Sequence, residues 1–260
     1  MSDLDETLDD VARALHKSER VVFLTGAGLS VASGIAPYRK SKDAVWENFI
    51  TDWGTIAKFH DDPAMWWREF WLKAHGSLSA SAKQPEPNAG HLAITEIAKR
   101  SSDTVVITQN IDGLHRRAGV PEEQLVEIHG RHDRFVCTSL GCARVNDGVD
   151  HIDLSRIDDD VIPLCDLCGS PLRPLVLLFD EMYDSHPAYN MRLAKRALND
   201  AEIILFVGTS FSVGITDYAV RAGMYARATL VNVNVEAVGN DAFVDLIGPS
   251  EVVLPALARR

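Results

Sequence analysis

Residues 21–35 read VVFLTGAGLSVASGI, and this stretch decides the fold. Its apolar start, 21–25, has the length and composition of a buried strand. The run ends abruptly at Gly26-Ala27-Gly28, and small residues able to open a helix follow. Glycine permits a tight turn and lets a diphosphate approach the backbone, while the free N–H groups of a helix start point at negative charge. The stretch therefore predicts a strand–turn–helix pocket for a phosphate-bearing cofactor. It departs from the common dinucleotide fingerprint. Val31 stands where a third glycine would be, and no acidic residue closes a second strand about 20 residues on. That argues against an ordinary dehydrogenase.

Outward from this turn, apolar runs at 104–108, 203–207 and 229–235 look like further buried parallel strands. Helical patterns at 4–17, 90–100 and 187–199 lie among them, the first with Leu4, Leu8, Val11, Ala14 and Leu15 on one face. This alternation predicts an α/β fold with a doubly wound, mostly parallel, Rossmann-like sheet. Two insertions interrupt it. Residues 37–89 are aromatic-rich and helical in pattern, with a polar loop before Pro85 and Pro87, and residues 131–174 hold every cysteine. Both are expected to form one smaller lobe of a single catalytic domain, residues 1–260. The large lobe then takes roughly 1–36, 90–130 and 175–260, and the small lobe 37–89 and 131–174.

The 260 residues are 46% apolar, enough for a proper core, and carry a formal charge of −11. That balance disfavours direct nucleic-acid binding, which needs excess Lys and Arg, and leaves room for a basic substrate segment. No run approaches the ~18 apolar residues of a membrane span. The start, MSDLDETLDD, lacks a basic n-region and an apolar h-region. A cytoplasmic protein, monomeric and away from membranes, is the expectation.

Cys137, Cys142, Cys165 and Cys168 are spaced as C-x4-C and C-x2-C across a 22-residue gap. Paired cysteines on tight turns can place four thiolates at the corners of a tetrahedron, the geometry of a structural zinc ion. A closed four-sulfur shell leaves no open position for catalysis. Two disulfides are the competing reading, disfavoured in a reducing compartment.

Polar groups gather at strand ends: Thr108-Gln109-Asn110-Ile111-Asp112-Gly113-Leu114-His115, Glu127-Ile128-His129-Gly130, Gly208-Thr209-Ser210 and Asn232-Val233-Asn234. Open α/β sheets bind ligands at the carboxyl ends of their strands, so these groups and the glycine turn point to one cleft.

GAGLSVASGI with Arg39, TQNIDGLH, EIHG, the four cysteines, CGSPLRP, VGTS and VNVN occur in an order that resembles the sirtuins, the NAD-dependent protein lysine deacylases, over about residues 18–257. The resemblance implies NAD as co-substrate, one structural zinc ion and an acyl-lysine protein or peptide as partner. NAD would lie between the two lobes. By resemblance, Gly26, Ala27, Gly28, Ser30, Ser33, Ile35, Tyr38 and Arg39 hold its diphosphate side. Gln109, Asn110, Ile111 and Asp112 surround the nicotinamide and its ribose, and Gly208, Thr209, Ser210, Asn234 and Glu236 bind the remaining ribose groups. The implied catalytic residues are His129, Asn110 and Asp112, with His129 as general base. The products would be nicotinamide, free lysine and 2′-O-acyl-ADP-ribose. An ADP-ribosyltransferase or NAD glycohydrolase using the same pocket is the alternative, and a non-enzymatic NAD sensor fits the complete polar set less well.

The chain also departs from the family. Ala36-Pro37-Tyr38-Arg39 replaces the usual run after Gly-Ile, and proline there removes an N–H. Ala44-Val45-Trp46-Glu47 looks most like the bacterial and mitochondrial desuccinylase branch. That branch carries Tyr and Arg for an acidic acyl group where this chain aligns Phe70 and Lys73. Phenylalanine lacks the phenol and lysine lacks the bidentate fork, so succinyl-lysine is not the expected best substrate. Trp66, Trp67, Phe70 and Trp71 suggest an apolar acyl pocket, or simply a helix core. Phe179-Asp180-Glu181 and Ser212-Val213-Gly214-Ile215 are unusual where a peptide would be clamped. Phe179 and Val213 join Phe70 and Lys73 as expected substrate-pocket residues, and Asp180 could favour basic substrates.

Overall fold

β1 (Val21–Thr25) is buried along its whole length because both faces of its sheet are covered. Successive strand side chains point to opposite faces. Val21 and Phe23 accordingly join one core, and Val22 and Leu24 the other. The computed structural model describes residues 3–36, 44–75, 84–150, 152–157 and 161–260, with backbone alone for residues 3 and 44–48.

The main sheet also contains β2 (Val105–Thr108), β3 (Leu125–Glu127), β7 (Ile203–Val207), β8 (Thr229–Asn234) and β9 (Phe243–Ile247). Its order is β3-β2-β1-β7-β8-β9, and every pairing is parallel. The chain winds outward from β1 to β3, then returns to the other side of β1 as β7. The boundary between β1 and β7 is thus the point where the winding reverses, the usual ligand crevice of such sheets. Helices Asp3–Lys17, Ala89–Ala98 and Ser250–Ala258 cover one face, and Met191–Asp200 and Gly214–Ala226 the other.

The expected α/β architecture is therefore present, with the four foreseen strands displaced by at most one residue at an end. Two details differ. Leu4 is exposed rather than packed with Leu8 and Val11. The sequence reading also missed β3, β9 and the helices Gly214–Ala226 and Ser250–Ala258.

A second sheet, antiparallel and ordered β5-β4-β6, carries the cysteines: β4 (Gly130–Cys137), β5 (Val149–Asp150) and β6 (Leu172–Val176). Against it pack helices Ala44–Trp53 and Ile56–Asp61 and a segment that starts at Pro63–Met65 and widens into a π-helical turn, Trp66–Trp71. Trp66, Trp67, Phe70 and Trp71 are all buried in one cluster with Phe135, Leu172, Val176 and Leu178. Trp66 and Trp71 stack at 5.8 Å, since a π turn superposes residues five apart. Their indole and aryl faces hold this sheet and its helices together, and the Trp67 Nε1–H donates to the Leu172 carbonyl at 3.0 Å. These rings are buried in the core, the second of the two readings that the sequence left open for the four aromatics.

The expected role of Asp180 is corrected. Its two carboxylate oxygens accept the N–H groups of Ile56 (2.7 Å) and Ala57 (3.1 Å), capping the start of the helix Ile56–Asp61. The carboxylate serves the fold rather than a substrate.

Candidate active site

The glycine turn works through close backbone packing. Gly26 N–H donates to the Val207 carbonyl (2.9 Å) and Gly28 N–H to the Gly208 carbonyl (2.8 Å). A Cβ on Gly28 would lie 2.7 Å from Gly208 Cα and from its oxygen. Gly208 has φ +57, a left-handed conformation open to glycine. The ends of β1 and β7 therefore meet backbone to backbone with no side chain between them.

A directed chain of hydrogen bonds forms one wall. The Asn110 side-chain amide donates to the Gly26 carbonyl (3.0 Å) and to Ser30 Oγ (3.1 Å). Ser30 Oγ donates to Asp112 Oδ2 at 2.7 Å, and Asp112 Oδ1 accepts the Leu114 N–H at 3.0 Å. Ser30 and Asp112 are buried. The Gln109 amide bridges to the Thr25 carbonyl and Thr209 Oγ1, both at 3.3 Å. Asn110 keeps its side-chain oxygen as an acceptor in this arrangement.

On the opposite side, the Asn234 amide donates to the Thr209 carbonyl (2.9 Å), and Ser210 Oγ meets Ser212 Oγ at 2.5 Å. Glu236 is exposed, with its carbonyl taken by the Asn232 amide at 3.0 Å. Ile35 is half-buried beside the glycine turn, and Ile111 packs against the small-sheet core. Tyr38 and Arg39 lie outside the described residues.

Asn88 was not foreseen. Its Nδ2 donates to Ser33 Oγ (3.0 Å) and the Leu29 carbonyl (2.8 Å), while its Oδ1 caps the helix Ala89–Ala98. The spacing Asn88…His91, a capping box, was the signal available.

His129 follows β3. Its Nδ1 lies 2.8 Å from the Gln109 carbonyl. A carbonyl only accepts, so Nδ1 carries the proton and Nε2 presents a lone pair. Burial pushes the ring's pKa down to about 4, and the Gln109 bond opposes this in part. The imidazole is therefore neutral at neutral pH, as a base must be.

The remaining substrate-pocket candidates are scattered. Phe70 is core. Lys73 forms an ion pair with Glu69 and is 58% exposed. Phe179 is exposed, with its N–H on the Gly54 carbonyl at 2.9 Å. Val213 precedes the helix Gly214–Ala226 and packs partly against the large core.

The four cysteine sulfurs lie within 4.8 Å of one another, with Cys137–Cys168 at 3.5 Å and Cys142–Cys165 at 3.6 Å, and none is in a disulfide. Zn–S bonds of about 2.3 Å require tetrahedral S···S separations near 3.8 Å. The cluster fits a structural zinc ion.

The Sir2 family model matches residues 26–215. The chain is 39% identical to the NAD-dependent deacetylase sir2E of Dictyostelium discoideum over 96% of this chain and 76% of that protein. It is 37% identical to an NAD-dependent protein deacetylase of Haloarcula marismortui, over 100% and 97%. Among solved structures, a Sir2 homologue–NAD complex superposes with a TM-score of 0.77 at 28% identity, covering 96% of this chain and 92% of that one.

Proposed function

The chain belongs to the Sir2 family and is an NAD-dependent protein-lysine deacylase, and we propose that the cleft at the β1–β7 boundary is where it acts. NAD is the co-substrate: when bound, it supplies the activated ribose that receives the acyl group as nicotinamide departs. Gly26, Ala27 and Gly28 take the diphosphate side, with Ser33, Ile35, Tyr38 and Arg39 around it. Ser30 links this turn to Asn110 and Asp112. Gln109, Asn110, Ile111 and Asp112 hold the nicotinamide end. Gly208, Thr209, Ser210, Asn234 and Glu236 hold the far ribose. The solved NAD complex of a relative supports NAD in this fold.

His129 Nε2 accepts a proton from a ribose hydroxyl. The observation that carries this role is the Nδ1–Gln109 bond, which fixes the tautomer with its lone pair outward. Asn110 and Asp112, both held by Ser30, orient the nicotinamide carboxamide by accepting from its N–H groups. The cysteine site holds zinc away from these groups and serves structure.

The acyl-lysine partner carries a neutral acyl group in this reading, supported by the Lys73–Glu69 pair. Two lobes with separate cores support the large-lobe and small-lobe division at residues 1–36, 90–130 and 175–260 against 37–89 and 131–174. One chain supplies the whole cleft, which supports a monomer. The charge of −11 supports the absence of a nucleic-acid partner, and four thiols free of disulfides support a cytoplasmic setting. Among the described residues, no helix is long and apolar enough to cross a membrane.

The test is mass spectrometry of NAD with an acetyl-lysine peptide. Wild-type protein is expected to give equal amounts of nicotinamide and acetyl-ADP-ribose, and His129→Ala none. Free ADP-ribose formed without peptide would replace this reading by an NAD glycohydrolase.

A further inference from the structure

His129 needs more than one restraint. The Gln109 bond fixes its tautomer but lets the ring turn about the bond's own axis. Tyr183 supplies the second hold. Its ring lies almost parallel to the imidazole, with centroids 5.9 Å apart and planes 17° apart, within the range of offset aromatic stacking.

Tyr183 is itself fixed. Its phenol oxygen accepts the Ile215 N–H at 3.3 Å, and its ring packs against the large core beside Val213 and Phe211. Burial raises its pKa, so the phenol stays neutral. The segment leading to it is pinned as well. Leu177 N–H donates to the carbonyl of His129 at 2.9 Å. Glu181 forms a nearly buried ion pair with Arg173, at 2.6 and 3.1 Å, and also accepts the Leu178 N–H at 3.0 Å. A side chain held at both ends can set the orientation of what it touches.

We propose that Tyr183 is a positioning residue for His129: its ring, lying nearly parallel beside the imidazole, sets the plane in which the base is held. This rests on the reading of His129 as the base. A misaimed base loses rate through lost orientation. No contact between Tyr183 and substrate is required.

The experiment compares wild type, Tyr183→Phe and Tyr183→Leu in steady-state deacetylation, together with ¹⁵N NMR of the His129 ring at neutral pH. Tyr183→Leu should lower kcat roughly three- to thirtyfold with the KM for NAD within about twofold of wild type. Its His129 ring signals should broaden as the ring turns about the Gln109 bond, with Nδ1–H retained as in wild type. Tyr183→Phe keeps the ring and should restore both. A Tyr183→Leu enzyme with wild-type kcat and unbroadened His129 ring signals would overturn the proposal. So would a Tyr183→Phe enzyme as impaired as Tyr183→Leu, since the phenol's bond to Ile215 would then be what matters. If Tyr183→Leu fails to fold, Tyr183→Met fills the space without a π face and carries the same comparison. His129→Ala separates the two readings: retained deacylation there removes the base itself, whereas an inactive His129→Ala with an unaffected Tyr183→Leu removes only the positioning role.

Discussion

Gly28 and Gly208 meet backbone to backbone: the Gly28 N–H donates to the Gly208 carbonyl at 2.8 Å, and a Cβ on Gly28 would sit 2.7 Å from that same oxygen. The two strands on either side of the winding reversal are locked by this approach, and the space above it is what a diphosphate can use. Gly28→Ala must push β1 and β7 apart or twist the turn. Overpacking of this kind costs about 1–3 kcal/mol, so the melting temperature should fall by about 3 to 10 degrees. Affinity for NAD should fall at least about tenfold if the displaced backbone is the proposed diphosphate surface. Scanning calorimetry and titration calorimetry check the two effects. Unchanged NAD binding would place the diphosphate elsewhere.

Acid should loosen the fold through histidines that the chemistry does not use. His75, His91 and His115 are buried. Burial lowers His75 to about 3 and His91 to about 4, and takes His115 well below its ordinary value. The folded state therefore holds all three neutral at pH 7. In the unfolded chain they take up protons near pH 6.5. The stability they allow is complete above about pH 6.5 and declines as pH falls towards 4, by up to about 1.4 kcal/mol per pH unit for each. Urea unfolding at pH 7.5, 6 and 5 should show falling midpoints. His91→Gln or His115→Gln should flatten the slope even where it lowers stability at pH 7.5. A midpoint independent of pH between 7.5 and 5 would contradict the neutral state of these rings.

The strands and the cleft were legible for one reason. Runs buried on both faces, such as Ile203–Val207, are short continuous apolar segments, and their length and β-branched or aromatic content favour strand over buried helix. β9 was hidden because it is an edge strand with Asp245 inside it, and that carboxylate is used to accept the Asn232 amide at 2.7 Å. The helix Ser250–Ala258 was hidden by Pro255, which reads as a breaker. Motif residues such as Ser30, Asn110 and Asp112 could be named, but not the direction Asn110 to Ser30 to Asp112, since that depends on three segments meeting in space. The capping role of Asp180 joins residues 124 apart in sequence, and no local pattern encodes it. The aromatic run was visible, yet whether Trp66–Trp71 line a pocket or fill a core depends on the sheet that covers them.

Loss of zinc should be seen first in the small lobe. Cys137 and Cys165 belong to the same cluster as Trp66, Trp67, Trp71 and Phe135. All five tryptophans of the chain fall between residues 46 and 71. Their emission therefore reports this lobe almost alone. Metal analysis should find one zinc per chain, and a strong chelator or Cys165→Ser should red-shift the emission before the helical circular dichroism of the large lobe is lost. Coincident loss of both signals would mean that the two lobes unfold as one unit. A chain with clearly less than one zinc and unaltered fluorescence would exclude a structural metal.

The proposed preference for a neutral acyl group rests on Phe70 and Lys73, which do not together form a site for a carboxylate. A site for a succinyl carboxylate needs an unengaged cation and a hydroxyl donor. Lys73 is engaged by Glu69 at the surface, and the Lys73 ammonium together with Arg68 holds the Glu69 carboxyl below its ordinary pKa. Phe70 offers no donor and is buried among aromatic rings. Acetyl- or longer neutral acyl-peptides should accordingly exceed succinyl-peptides in kcat/KM by at least about tenfold, the value of one lost charge-assisted hydrogen bond. Lys73→Ala should leave deacetylation within about twofold. Phe70→Tyr should destabilise the protein by about 1–3 kcal/mol, because its hydroxyl would enter that core without a partner. Steady-state rates on matched acyl-peptides measure the preference directly, and a succinyl-peptide turned over faster than its acetyl counterpart would refute it.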